Sequence, residues 1–68
     1  MSISENIRRF RKEARLTQKE LAAKCGFAEI TIRQYETEKR EPRAEQLKKI
    51  ADALGISPAE LSVGYGEM

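Results

Sequence analysis

Thr17-Gln18-Lys19-Glu20-Leu21-Ala22-Ala23-Lys24-Cys25-Gly26-Phe27-Ala28-Glu29-Ile30-Thr31-Ile32-Arg33-Gln34-Tyr35-Glu36 reads as two short helices hinged at Gly26. Thr17 and Glu20 form a capping box, in which the hydroxyl accepts from a first-turn amide and the carboxylate reaches back to the cap amide. Leu21, Ala22 and Cys25 then fall at i, i+1, i+4, a narrow apolar stripe. Gly26 follows, where a helix ends in the left-handed conformation that glycine adopts at least cost. A second stripe starts after it: Phe27, Ile32 and Tyr35 point inward. Glu29, Ile30, Arg33 and Gln34 cannot share that face. They leave a short helix whose outer side is mixed in chemistry and carries an isoleucine with no core reason to be there. Two helices joined by a short turn containing Gly can cross steeply. Ala22 sits where they would cross and permits close approach.

The flanking sequence supplies the rest of a small helical unit. Ser2 and Glu5 form another S-x-x-E box, so a first helix starts near Ile3. Ile3, Ile7, Phe10 and Ala14 recur at i, i+4, i+7, i+11 and give it a core stripe. Arg8, Arg9, Lys12 and Arg15 form a solvated face, while Arg11, next to Phe10, lies partly toward the core. After the Thr37–Pro42 loop, Leu47, Ile50, Ala51 and Leu54 define a fourth helix from about Ala44 to Leu54, stopped by Gly55. Ile56 re-enters the core. Ser57-Pro58-Ala59-Glu60 is a third capping box, with Pro at the first helical position, and starts a short fifth helix that includes Leu61. The expected fold is all-α, a compact five-helix bundle.

Composition narrows the function. The chain has 68 residues, one domain at most. A domain this small buries only about 60% of the surface its unfolded chain exposes. Charged residues make up 35% and aromatics 6%, which leaves little material for a catalytic pocket with its own supporting shell. With no His and a single Cys, the usual zinc, haem and Cys–His patterns are absent, and no metal or cofactor is expected. Cys25, on an apolar stripe, is expected to be a buried small hydrophobe. No apolar run approaches the roughly 20 residues of a membrane span. No signal-peptide core is present, so a cytoplasmic location is the expectation. No Walker, Rossmann, H-E-x-x-H, EF-hand or G-x-S-x-G pattern occurs, and an enzyme is not expected. Charge is uneven: residues 1–43 hold 11 Lys/Arg against 7 Asp/Glu, and residues 44–68 hold 2 against 4. The positive half is the one carrying the two hinged helices, as a phosphate-facing surface requires.

Taken together, Ile7-Arg8-x-Phe10-Arg11, Leu16-Thr17-Gln18-x-Glu20-Leu21-Ala22, Gly26, Ile32-x-x-Tyr35-Glu36, Lys39-Arg40-x-Pro42 and Leu47-x-x-Ile50-Ala51-x-x-Leu54-Gly55-Ile56 resemble the helix-turn-helix of the phage repressor and Cro family, also called Xre-like. The resemblance runs from about Ile3 to Leu61. It implies a sequence-specific double-stranded DNA-binding transcriptional regulator, expected to be a repressor, that binds a palindromic operator as a homodimer through the major groove. Base-reading positions carried over from the family fall on Ala28, Glu29, Ile30, Arg33 and Gln34. Their chemistry matches base edges: Arg33 suits guanine O6 and N7, Gln34 adenine, Glu29 cytosine N4, and Ile30 a thymine methyl. Glu29 also has a plain reading as a first-turn carboxylate favoured by the helix dipole. Phosphate contacts are expected from Thr17, Gln18, Thr31, Lys39, Arg40 and Arg43. The family pairs the Arg at position 11 with the Glu at position 36, so an Arg11–Glu36 ion pair is expected.

Three positions depart from the family's pattern. Arg15 stands where many members have Gly. Ala28 is the expected cap of the third helix, where Ser or Thr is usual; the loss costs roughly 0.5–2 kcal/mol. Glu38 stands where Gly is usual; either it takes positive φ at roughly 1 kcal/mol or the turn is built differently. The domain is expected to span residues 1–61, with 62–68 a tail whose Val63 and Tyr65 pack on the fifth helix, serve a dimer contact or begin a linker. The competing reading is a protein-interaction module of antitoxin type with only weak DNA binding. No small-molecule ligand and no membrane partner is expected.

Overall fold

The computed structural model describes residues 2–62, and among them every regular element is helical. The order is α1 (Ile3–Glu13), α2 (Gln18–Cys25), α3 (Glu29–Glu36), α4 (Ala44–Leu54) and α5 (Pro58–Leu61). The start of α1 and the bounds of α4 are those expected, and α5 includes Leu61 as expected.

Local chemistry sets each start. Glu5 N donates to Ser2 Oγ at 3.1 Å while Ser2 N donates to Glu5 Oε1 at 2.9 Å. Thr17 and Glu20 repeat the exchange at the start of α2, at 3.0 and 2.8 Å. At α4, Arg43 N donates to Gln46 Oε1, and at α5 Ser57 N donates to Glu60 Oε2. α3 has neither half of the exchange: its cap, Ala28, carries no acceptor, and no side chain caps it.

The ends of the first four helices share one device. After α2, Phe27 N donates to Ala22 O and Gly26 N to Ala23 O; after α4, Ile56 N donates to Ala51 O and Gly55 N to Asp52 O. This paired closure needs one left-handed residue. Gly26 and Gly55 supply it with φ of 77° and 74°. The ends of α1 and α3 close in the same way, through Leu16 N to Arg11 O and Lys39 N to Gln34 O. There the left-handed residues are Arg15 (φ 60°) and Glu38 (φ 64°). The Glu38 alternative is thus resolved toward positive φ, and Arg15 shares the strain.

The core is made of Ile3, Ile7, Leu21, Ala22, Ile32, Tyr35, Ile50, Ala51 and Leu61. Burying each of the larger aliphatic side chains stabilises the fold by about 1.5–3 kcal/mol. Ala22, in α2, is buried. Phe27 packs against the core from its rim, half-buried: its ring meets Tyr35 edge-on at 6.4 Å, and Lys49 Nζ lies 5.9 Å from its centroid. Two expectations need correction. Ala14 is exposed, because α1 stops at Glu13 and Ala14 is already in the closing turn. Cys25 is half-buried rather than buried, since it closes α2 at the rim of the core, with Sγ 3.8 Å from the Lys49 carbonyl oxygen.

One core member was not foreseen. Asn6 is fully buried, and its Nδ2 donates to the Leu61 carbonyl at 2.7 Å. This bond ties α1 to the last turn of the described fold, across 55 positions of sequence. The expected roles of Val63 and Tyr65 lie outside the described residues.

Candidate nucleic-acid interface

α3 has only eight residues, so its two faces divide cleanly. Ile32 and Tyr35 are buried against the core. Glu29, Ile30 and Arg33 occupy the opposite side and are exposed; Ala28, just before the helix, is exposed too. Gln34 is half-buried at the edge of this face. Ile30 is 49% exposed, the exposed large hydrophobic among the described residues. Arg33 Nη2 donates to Glu29 Oε2 at 3.4 Å, so the two charges of this face are paired in the free protein.

Behind this face lies a buried polar anchor. Arg11 Nε and Nη2 donate to the two carboxylate oxygens of Glu36, at 2.6 and 3.1 Å. Arg11 Nη1 donates to the Leu16 carbonyl at 2.8 Å. Gln18 Nε2 donates to Glu36 Oε1 at 3.1 Å. One carboxylate therefore joins α1, the start of α2 and the end of α3. The expected Arg11–Glu36 pair is present. The Gln18 amide is half-committed: its nitrogen faces Glu36, which turns its oxygen elsewhere.

The remaining polar positions sit around α3 rather than on its outer face. Thr17 is exposed, with its oxygen accepting from Glu20 N. Thr31 is half-buried. Lys39 and Arg40 are exposed in the loop after α3, and both of their backbone N–H groups donate to the Gln34 carbonyl. Arg43 is the exposed cap of α4, on the far side of buried Pro42. The loop's backbone is thus fixed to α3 while its cationic side chains face outward.

Burial pushes the Cys25 thiol above its ordinary pKa, and the nearby Lys49 charge only partly opposes this. The thiol is held in its less reactive form. Among the described residues, no group of His, Cys, Asp or Glu is arranged to hold a metal, and no helix is long and apolar enough to cross a membrane.

Comparison with known proteins agrees with this geometry. The helix-turn-helix family model matches residues 7–61. An HTH-type transcriptional regulator of Sinorhizobium fredii, y4dJ, is 37% identical over 59 residues, which span 87% of this chain and 77% of that protein. The cryptic phage CTXphi transcriptional repressor RstR of Vibrio cholerae is 39% identical over 61 residues, 90% of this chain and 54% of the repressor. The DNA-binding domain of the P22 c2 repressor superposes with a TM-score of 0.89 at 33% identity, covering 94% of this chain and 84% of that one. The P22 c2 repressor in complex with a synthetic operator superposes with a TM-score of 0.83, also at 33% identity, covering 90% and 92%. The chain belongs to the helix-turn-helix family of DNA-binding transcriptional regulators and phage repressors, a non-enzymatic family whose five-helix fold it shares.

Proposed function

We propose that this protein recognises a specific double-stranded DNA sequence by laying α3 in the major groove, and that it does so as a homodimer on a palindromic operator to repress transcription. The observation that carries the reading is the outer face of α3. It exposes Ile30 and Arg33 together, an apolar group and a planar cation that no packing requirement explains. An apolar side chain suits the thymine methyl, and a guanidinium suits guanine O6 and N7. Gln34 at the edge of the face suits adenine. Thr17, Gln18, Thr31, Lys39, Arg40 and Arg43 are proposed to hold phosphates and fix the register. A relative 33% identical to this chain, the P22 c2 repressor, has been solved in complex with a synthetic operator, which supports double-stranded DNA as the partner.

Dimerisation follows from information content. One eight-residue helix touches only a few base pairs, and two subunits with half-sites roughly 34 Å apart supply the rest. We place the folded unit at residues 1–61, with 62–68 as a tail available to the dimer. The test is selection of bound duplexes from a random pool, followed by footprinting of the winner. A two-fold symmetric consensus with two protected half-sites supports the proposal. Failure to enrich any sequence rejects specific recognition, and enrichment of one isolated half-site rejects the dimer.

A further inference from the structure

Glu29 and Arg33 stand one turn apart on the exposed face of α3, with Arg33 Nη2 3.4 Å from Glu29 Oε2. Their side chains stay roughly half exposed, at 44% for Glu29 and 52% for Arg33. The order is the favourable one, acid before base, with each charge near the helix end whose partial charge suits it. As an exposed pair it adds little to the stability of the free protein. Its consequence lies in the bound state. An isolated carboxylate at the front of a groove-facing helix meets a field of phosphates that repels it. To accept from a cytosine amine, Glu29 would have to leave Arg33 and enter that field alone.

Kept on Arg33, the carboxylate is neutralised and does something useful. A guanidinium has five N–H donors in a rigid plane. One Nη2 hydrogen directed at Glu29 leaves the second Nη2 hydrogen and the Nη1 pair for guanine O6 and N7. Arginine's long stem otherwise samples many rotamers, and ordering it on binding lowers affinity. A fixed acceptor one turn back reduces that loss and sets the plane of the fork. Ile30, beside the pair on the same face, offers no competing acceptor.

We infer that Glu29 is a positioning residue for Arg33 and not itself a base reader. The inference rests on the proposed reading of bases by α3 and names the residue that sets how sharply one base is chosen. The test measures binding of the full chain to the selected operator and to a set of duplexes, each with one base pair replaced. The proteins are the native chain, Glu29→Ala, Glu29→Gln, Arg33→Ala and the double alanine variant. Glu29→Ala is expected to lower discrimination about three- to tenfold, the scale of coupling between contacting residues. The loss should fall at the same base pair that Arg33→Ala affects, and at no other. Glu29→Gln, which keeps an acceptor oxygen, should restore most of it. In the Arg33→Ala background, removing Glu29 should change discrimination no further. A loss at a different base pair would make Glu29 a direct reader and overturn the inference. Unchanged discrimination everywhere would leave it an ordinary surface ion pair, which also overturns it. If Arg33→Ala itself alters no base preference, the reading of bases by Arg33 fails first, and that result is distinct from the other two.

Discussion

Arg11 and Glu36 meet as a two-bond pair in which the Glu36 side chain is 3% exposed and the Arg11 side chain 11%. Their sequence separation is 25, so the pair ties α1 to the end of α3. A buried pair of this kind fixes geometry more than it adds stability, but breaking one half leaves an uncompensated charge. Arg11→Ala or Glu36→Ala is expected to destabilise the domain by roughly 3 kcal/mol. The double variant should lose less than the sum of the two single losses. Urea denaturation of the four proteins measures this, and additive losses would show the pair to be energetically uncoupled.

The uncapped start of α3 predicts a gain. Ala28 has the extended backbone of a cap residue but no acceptor. Ala28→Ser supplies one and should stabilise by about 0.5–2 kcal/mol. In a domain of this size each kcal/mol moves the melting temperature by about 4–8 °C, so calorimetry resolves the effect. An unchanged or lower melting temperature would mean that the first-turn amides are already satisfied.

Arg15 and Glu38 predict a second gain. Both are left-handed residues at helix ends that Gly26 and Gly55 close elsewhere in the same chain. Left-handed backbone costs an ordinary residue about 1–2 kcal/mol, and glycine returns part of the difference through its freer unfolded chain. Arg15→Gly and Glu38→Gly should each stabilise by roughly 0.5–1 kcal/mol. Alanine at either site should bring no comparable gain, because it keeps the Cβ that causes the strain. Equal stability of the Gly and Ala variants would contradict this account.

Cys25 gives a pH prediction. Burial raises its pKa in the folded state, with Lys49 opposing, so the folded protein holds the thiol proton more tightly than the unfolded chain does. The stabilising contribution is therefore fully present below the unfolded pKa, near 9.0, and is lost as pH rises through the higher folded value. Alkylation by iodoacetamide at mildly alkaline pH should be slower for the native protein than for the urea-unfolded one. Equal rates would place the thiol in open solvent.

Most of the architecture was legible because local signals and tertiary need coincide here. Three S/T-x-x-E boxes, two Gly stops and stripes of helical period marked all five helices. The rest was less visible for physical reasons. Asn6 completes the Ile3, Ile7, Phe10 stripe at i+3, but a polar residue there points to solvent unless its partner is known. That partner is a backbone carbonyl 55 positions away. Cys25 and Phe27 lie on core stripes at the rim of a very small domain, where position on a stripe does not guarantee full burial. The Glu29–Arg33 bond was open to a plain i,i+4 reading from sequence. The competing idea of Glu29 as a cytosine reader came from the family resemblance.

If α3 reads bases while the loop after it holds phosphates, a salt series separates the two roles most directly. Arg33→Ala, Arg40→Ala and Arg43→Ala are each titrated with the selected operator and with a scrambled duplex of equal length. Arg33→Ala is expected to lose about 1–3 kcal/mol on the operator, with far less change on the scrambled duplex. Arg40→Ala and Arg43→Ala should weaken both duplexes alike, and each should flatten the log–log salt dependence by about one unit. An Arg33→Ala variant that loses both duplexes equally, with the same flattening, would put Arg33 on the backbone and contradict the account.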